Sequence, residues 1–210
     1  MRRAVRVILG IGALVGVGLV AADARASYEE PAYKVSLRDG NFELRDYPSV
    51  VSASVEVEGS RDAAANQAFK ILAGYIFGKN VSKKEIAMTV PVTSEKVSEK
   101  IAMTVPVTEE KSGSSMRMSF YMPAKYTLES LPEPLDKRIQ FKQIAARKFA
   151  VVRFSGWASE GSIESHTVKL RAFIAKKGLT STAEPITAFY NPPWTLPFLR
   201  RNEVWIEVSP

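Results

Sequence analysis

VSASVEVE over residues 51–58, then Gly59-Ser60, then RDAAANQAFKILAGYIFG over residues 61–78, is the stretch on which the fold turns. Val51, Ala53, Val55 and Val57 alternate with Ser52, Ser54, Glu56 and Glu58, and a period of two marks a half-buried strand. The next residues change period. Ser60 suits an N-cap, Asp62 suits the positive end of a helix dipole, and Gly78 suits the turn that closes a helix, which predicts a helix over 61–77. Ala65, Ala68, Phe69, Leu72 and Ile76 share one helical face and are expected to bury against a sheet. Beside them Ala64, Ile71 and Tyr75 make a second small apolar flank with Arg61 and Lys70 at its edges. That flank has two readings: it widens the core contact, or it admits a flat ligand at close range.

Upstream, Tyr33–Leu37 and Phe42–Tyr47 flank Arg38-Asp39-Gly40-Asn41 and read as a hairpin. Downstream, IAMTVPVT at 86–93 recurs at 101–108, and the proline near each copy's end suits a strand edge or terminus. Two copies are too few for a solenoid, so one reads as an insertion. Met116, Met118 and Phe120 alternate with polar neighbours in a further strand, and Pro132 and Pro134 mark a connection. Residues 139–154 read as two consecutive strands or one bent strand, a second helix follows a cap at Ser159 or Ser162 and runs to about Lys177, and strands at 186–190 and 204–208 end the chain. The order strand, helix, strand, strand appears twice. That predicts one α+β domain with internal pseudosymmetry, two helices packing on an antiparallel sheet that curls toward a barrel.

The amino terminus bears on location. Arg2, Arg3 and Arg6 precede an apolar run from Val7 to Ala22, and Ala24-Arg25-Ala26 supplies a small-x-small cleavage pattern. Residues 1–26 therefore read as a secretory signal peptide, with an uncleaved anchor as the alternative; the run is short of the roughly 20 residues a spanning helix needs. Residues 27–210 are then expected to form a single domain, periplasmic or secreted, with no span once the signal is cut. Losing Arg2, Arg3, Arg6, Arg25 and Asp23 lowers the net charge from +7 to +4, which removes most of the case for a nucleic-acid partner.

With no cysteine, the chain has no disulfide, zinc-thiolate or iron–sulfur chemistry and no thiol nucleophile. Its one histidine, His166, borders the apolar face of the second helix, where it is either an axial iron ligand or an ordinary half-buried side chain. Acidic residues are scattered, and no nucleophile elbow, phosphate loop or metal spacing occurs, so the sequence offers no enzyme signature. The oddest segment is 190–201, YNPPWTLPFLRR, a stiff loop in which Trp194 and Phe198 can face a ligand and Arg200 and Arg201 can meet carboxylates, or which simply covers a barrel end.

NFELRDYP at 41–48, NQAFKILAGYIFG at 66–78, KIAMTVPVT at 100–108 and YNPPWTLPFLRRNEV at 190–204 resemble the SOUL haem-binding protein family, over about residues 31–208. The resemblance implies a distorted antiparallel β-barrel of duplicated β-α-β-β units with two packed helices. It implies a carrier or buffer of b-type, non-covalent haem or a related porphyrin, not an enzyme. The ligand would lie in a groove formed by Ala64, Ala68, Ile71 and Tyr75, with Arg61 or Lys70, and by Trp194, Phe198, Arg200 and Arg201 of the late loop. An axial ligand would come from His166, a methionine or a tyrosine, or be missing. The competing expectation is a protein-interaction or stress-response module that binds another apolar ligand. The repeat leaves open which copy fills the barrel strand.

Overall fold

The computed structural model describes residues 28–83, 97–112 and 114–209. Its strands are β1 (Lys34–Asp39), β2 (Phe42–Tyr47), β3 (Val50–Glu58), β4 (Asn80–Val81), β5 (Val107–Ser112), β6 (Ser115–Tyr121), β7 (Glu133–Pro134), β8 (Gln140–Ile144), β9 (Arg147–Phe154), β10 (Thr180–Ser181), β11 (Ile186–Phe189) and β12 (Asn202–Ser209). Helix α1 (Arg61–Ile76) follows β3, and α2 (Glu160–Lys176) follows β9. The main sheet runs β1-β2-β9-β12-β11-β5-β6-β3-β8, antiparallel throughout, with β10 on β12 and a separate β4–β7 pair. Reading outward from the β11–β5 seam, β12-β9-β2 on one side matches β6-β3-β8 on the other. Each half contributes strand, helix and two strands, so the duplication read in the sequence is the symmetry of a curled half-barrel.

Alternation sets the two faces. Val51, Ala53, Val55 and Val57 of β3 meet Met118 and Phe120 of β6 beneath α1, while Ala150, Val152, Phe154, Val204 and Ile206 lie beneath Leu170, Phe173 and Ile174 of α2. The opposite face holds an aromatic core of Tyr47, Tyr121, Phe149, Tyr190 and Trp205. The second copy of the repeat enters this fold: Ile101 is buried, the Ile101 amide donates to the Ile76 carbonyl at 2.8 Å, and Val107 begins β5. The first copy lies outside the described residues.

Two local expectations need correction. Ser60 stands at the N-cap of α1 in extended conformation, but its side chain makes no capping bond; its carbonyl accepts from the Ala64 amide at 2.9 Å. Ser159 does cap α2, accepting from the Ser162 amide at 3.3 Å. The buried stripe of α1 is also rotated. Ala64, Ala68, Leu72, Tyr75 and Ile76 form it, whereas Phe69 is 39% exposed with its ring edge toward Phe120. Alanines four residues apart let the helix axis approach the sheet closely, and a phenylalanine there would hold it off.

Gly78, at φ 114°, turns the chain out of α1, and Asn80 then ties the turn down. Its side-chain amide donates to the carbonyls of Tyr75 at 2.7 Å and Glu99 at 2.8 Å, and its Oδ1 accepts from the Glu99 amide at 2.9 Å. Because Asn80 is buried, Asn80→Ala strands these groups away from water. The expected loss is about 2–4 kcal/mol of unfolding free energy, read from the urea midpoint.

Candidate functional site

One face of α1 is left uncovered by the sheet. Ala63, Asn66, Gln67, Lys70, Ile71 and Tyr75 recur at helical spacing along it, and with Lys79 they form one wall of a groove of about 730 Å³. The other wall is residues 135–139. The β4–β7 pair joins Asn80 to Pro134, the Leu135 amide donates to the Lys79 carbonyl at 3.1 Å, and the Tyr75 hydroxyl donates to the Pro132 carbonyl at 3.0 Å. The C-terminal end of α1 thus carries both sides of the groove.

Its floor is apolar, with Ile71, Ile139 and the edge of the Tyr75 ring. Its rim is cationic: Lys70, Lys79, Lys137 and Arg138, against Asp136. Arg138 is committed to Asp136 at 2.7 Å and Lys137 to Glu133 at 2.7 Å. Hydrogen bonding from Arg138 holds the Asp136 carboxyl below its ordinary value, with a smaller contribution from Lys79. Lys70 and Lys79 have no carboxylate within ion-pair distance among the described residues, so two ammonium groups remain for an anionic ligand. Burial pushes the Tyr75 phenol above its ordinary range, so it stays protonated and bonded to Pro132.

The structure gathers only part of the residue set expected from sequence. Lys70, Ile71 and Tyr75 line the groove. Ala64 and Ala68 do not; fully buried, they are the contact with β3 and β6. Arg61 lies at the far end of α1 in another cleft of about 830 Å³, reaching Glu109 at 3.1 Å and the Ala158 carbonyl at 3.4 Å. Burial raises the Glu109 carboxyl despite that arginine. Trp194 and Phe198 point into solvent and line neither cleft. Arg200 lies 4.4 Å over the Trp157 ring and donates to the carbonyls of Thr195 and Pro193. Arg201 turns inward to Glu203 at 2.9 Å and Glu30 at 3.0 Å, stacked 3.6 Å over Tyr190.

His166 is likewise placed elsewhere. Its ring stacks on Phe154 at 4.1 Å, its Nδ1 lies 2.7 Å from the Ser162 carbonyl and so donates to it, and it lines neither cleft. Lys79 and residues 135–139 were not singled out from sequence. They reach α1 through a two-residue strand pair, too short to leave a period, and only the prolines at 132 and 134 hint at a shaped connection.

Residues 28–207 match the family described as SOUL heme-binding protein. "Heme-binding protein 1" of Xenopus tropicalis is 29% identical over 165 residues, covering 78% of this chain and 82% of the relative. The mouse protein of the same name is 26% identical over 170 residues, covering 80% and 84%. Among solved structures, the EcmrR C-terminal domain superposes with a TM-score of 0.55 at 13% identity, covering 84% of this chain and 98% of that one. A structure described as a hydrolase from Listeria innocua gives 0.54 at 14% identity, covering 83% and 94%. These two likenesses concern the fold alone.

Proposed function

The chain belongs to the SOUL heme-binding protein family, and from that premise we propose that it binds haem or a related porphyrin reversibly in the groove between α1 and residues 135–139. The observation that carries the reading is the pair of unpaired ammonium groups, Lys70 and Lys79, above an apolar floor. A porphyrin is a flat apolar disc with two carboxylates at one edge, and this arrangement offers a surface to the disc and a cation to each carboxylate. The relatives' names support haem as the ligand. At about 25 cal/mol per Å², a few hundred Å² of buried porphyrin gives affinity of micromolar class after association costs.

The groove residues fit a porphyrin held without strong iron ligation. Among the described residues no histidine or methionine lines the groove, and the Tyr75 hydroxyl is spent on Pro132. With no cysteine in the chain, thioether attachment is excluded, which supports non-covalent binding. The protein acts as a carrier or buffer outside the cytoplasm, periplasmic or secreted, after residues 1–26 are removed.

Haemin and iron-free protoporphyrin are each titrated against the chain by absorbance. Both are expected to saturate at one to one with affinities within a few-fold, and His166→Ala is expected to bind as the parent does. Lys70→Glu combined with Lys79→Glu is expected to weaken haemin at least tenfold, a difference of about 1.4 kcal/mol or more. Unchanged affinity in that variant moves the ligand out of this groove. Equal affinity for unrelated planar anions favours the second reading, a module for another apolar ligand, which the open groove also accommodates.

A further inference from the structure

Five large apolar side chains stand in water together: Trp194 (82% exposed), Phe198 (70%), Trp157 (67%), Leu199 (62%) and Leu196 (55%). Single exposed apolar residues are common, but a contiguous group at one place marks a binding surface. They are brought together by the Gly156 amide, which donates to the Pro197 carbonyl at 2.8 Å, and by Arg200, which stacks on Trp157 and ties down two carbonyls of the loop. Three prolines and these bonds hold the loop open, so its side chains stay displayed rather than folding inward. None of the five lines the porphyrin groove.

Glu30 is fixed by Arg201, two residues beyond Leu199, at 3.0 and 3.1 Å. Glu29 is fixed beside it, its carbonyl accepting from the Val105 amide at 2.9 Å and its carboxylate from the Ala124 amide at 2.7 Å. Glu29 and Glu30 therefore lie at the root of the aromatic loop. In the sequence the apolar run ends at Ala22, eight residues before Glu30, and eight residues span at most about 30 Å. Any membrane that takes up that run therefore comes within about 30 Å of the root of the loop.

We infer that the Trp157 and 194–199 surface docks on a phospholipid bilayer. Tryptophan sits at the headgroup level because its ring is apolar and its indole N–H polar, phenylalanine and leucine enter the acyl boundary beneath it, and Arg200 among them meets lipid phosphate. The loop holds the domain against the membrane while residues 1–26 are attached, and supplies peripheral contact by itself after their removal.

The full chain, reconstituted in phosphatidylcholine–phosphatidylglycerol vesicles with brominated acyl chains, tests this through tryptophan fluorescence. Of the three tryptophans, Trp205 is buried, so lipid contact reports Trp157 and Trp194. At least half of the emission is expected to be quenched relative to unbrominated vesicles. Trp157→Phe with Trp194→Phe is expected to leave less than about a tenth quenched. Leu196→Ser, Phe198→Ser and Leu199→Ser together retain both tryptophans and, at exposed positions, the parent's melting temperature; quenching is expected to fall at least twofold. In the chain beginning at Ser27, the triple-serine variant is expected to partition onto vesicles at least tenfold less. Absent quenching in the vesicle-bound parent, or undiminished quenching in the triple-serine variant, overturns the inference. So does self-association of the parent in solution that the triple-serine variant abolishes, since the patch then serves a second copy of the chain. Porphyrin titration does not read this surface, so failure here leaves the groove untouched.

Discussion

Glu203→Ala is expected to lower the unfolding free energy by about 3–5 kcal/mol, a large share of the 5–15 kcal/mol typical of a domain. Glu203 is fully buried on β12 and accepts from Arg45 at 2.7 and 3.0 Å, from the Tyr190 hydroxyl at 2.8 Å, from the Trp205 indole at 2.8 Å and from Arg201 at 2.9 Å. Alanine leaves Arg45, whose side chain is 3% exposed, with Glu43 as its remaining carboxylate. The loss measures a buried cation stripped of its bidentate partner, together with a Tyr190 hydroxyl and a Trp205 indole left without their acceptor, not the net worth of the pair. Arg45→Met together with Glu203→Leu is accordingly expected to recover at least half of it. Burial pushes the Glu203 carboxyl up, but the hydrogen bonds and charge of Arg45, with the charge of Arg201, outweigh it and leave it below the ordinary 4.5. The folded state therefore holds this proton less tightly than the unfolded chain. The resulting stabilisation is complete above about pH 5 and is lost as pH falls through the folded value, and Glu203→Ala should flatten the acid side of the stability profile. Urea melts at pH 7 and across pH 3–6 check both; a loss below 1 kcal/mol at pH 7 would contradict the argument.

What the sequence made legible was local. Val51 to Glu58 and Met116 to Tyr121 carry their period of two within themselves, so β3 and β6 could be read without knowing their partners. The repeated order of elements gave the pseudosymmetry for the same reason. The rotation of α1 was not legible, because Ala65 and Phe69 complete an apolar stripe with Ala68, Leu72 and Ile76 as well as Ala64 and Tyr75 do; the sheet chooses the stripe whose small residues permit close approach. Arg45 and Glu203 lie 158 residues apart in strands whose alternation assigns them to one face but says nothing of whether that face is wet. Lys79 was invisible as a site residue because the far wall of its groove, residues 135–139, reaches it through only two paired positions. Of the α1 residues expected to form the site, the groove retains Lys70, Ile71 and Tyr75, whereas Ala64 of the same flank and Ala68 are buried against the sheet.

That division makes Ala68→Glu and Lys70→Glu a decisive contrast, though only two positions separate them. Ala68 is fully buried in the apolar cluster that also holds Leu72, Val55 and Phe120, and the one buried cation among the described residues, Arg45, is already paired with Glu203 and Glu43. A glutamate there either buries an unpaired charge or takes up a proton in an apolar site, and it also overfills a close-packed contact. The expected loss is at least about 4 kcal/mol, read as a fall in thermal midpoint and in soluble yield. Loss of haemin binding in Ala68→Glu then reports loss of the fold and carries no information about the ligand. Lys70 is exposed on the groove rim, and an exposed helix position accepts glutamate within about 0.5 kcal/mol, so Lys70→Glu should melt as the parent does. Weakened haemin binding in that folded variant assigns the rim charge to the ligand. If Ala68→Glu instead folds normally and alone loses haemin, α1 is rotated from the orientation described and Ala68 faces the ligand.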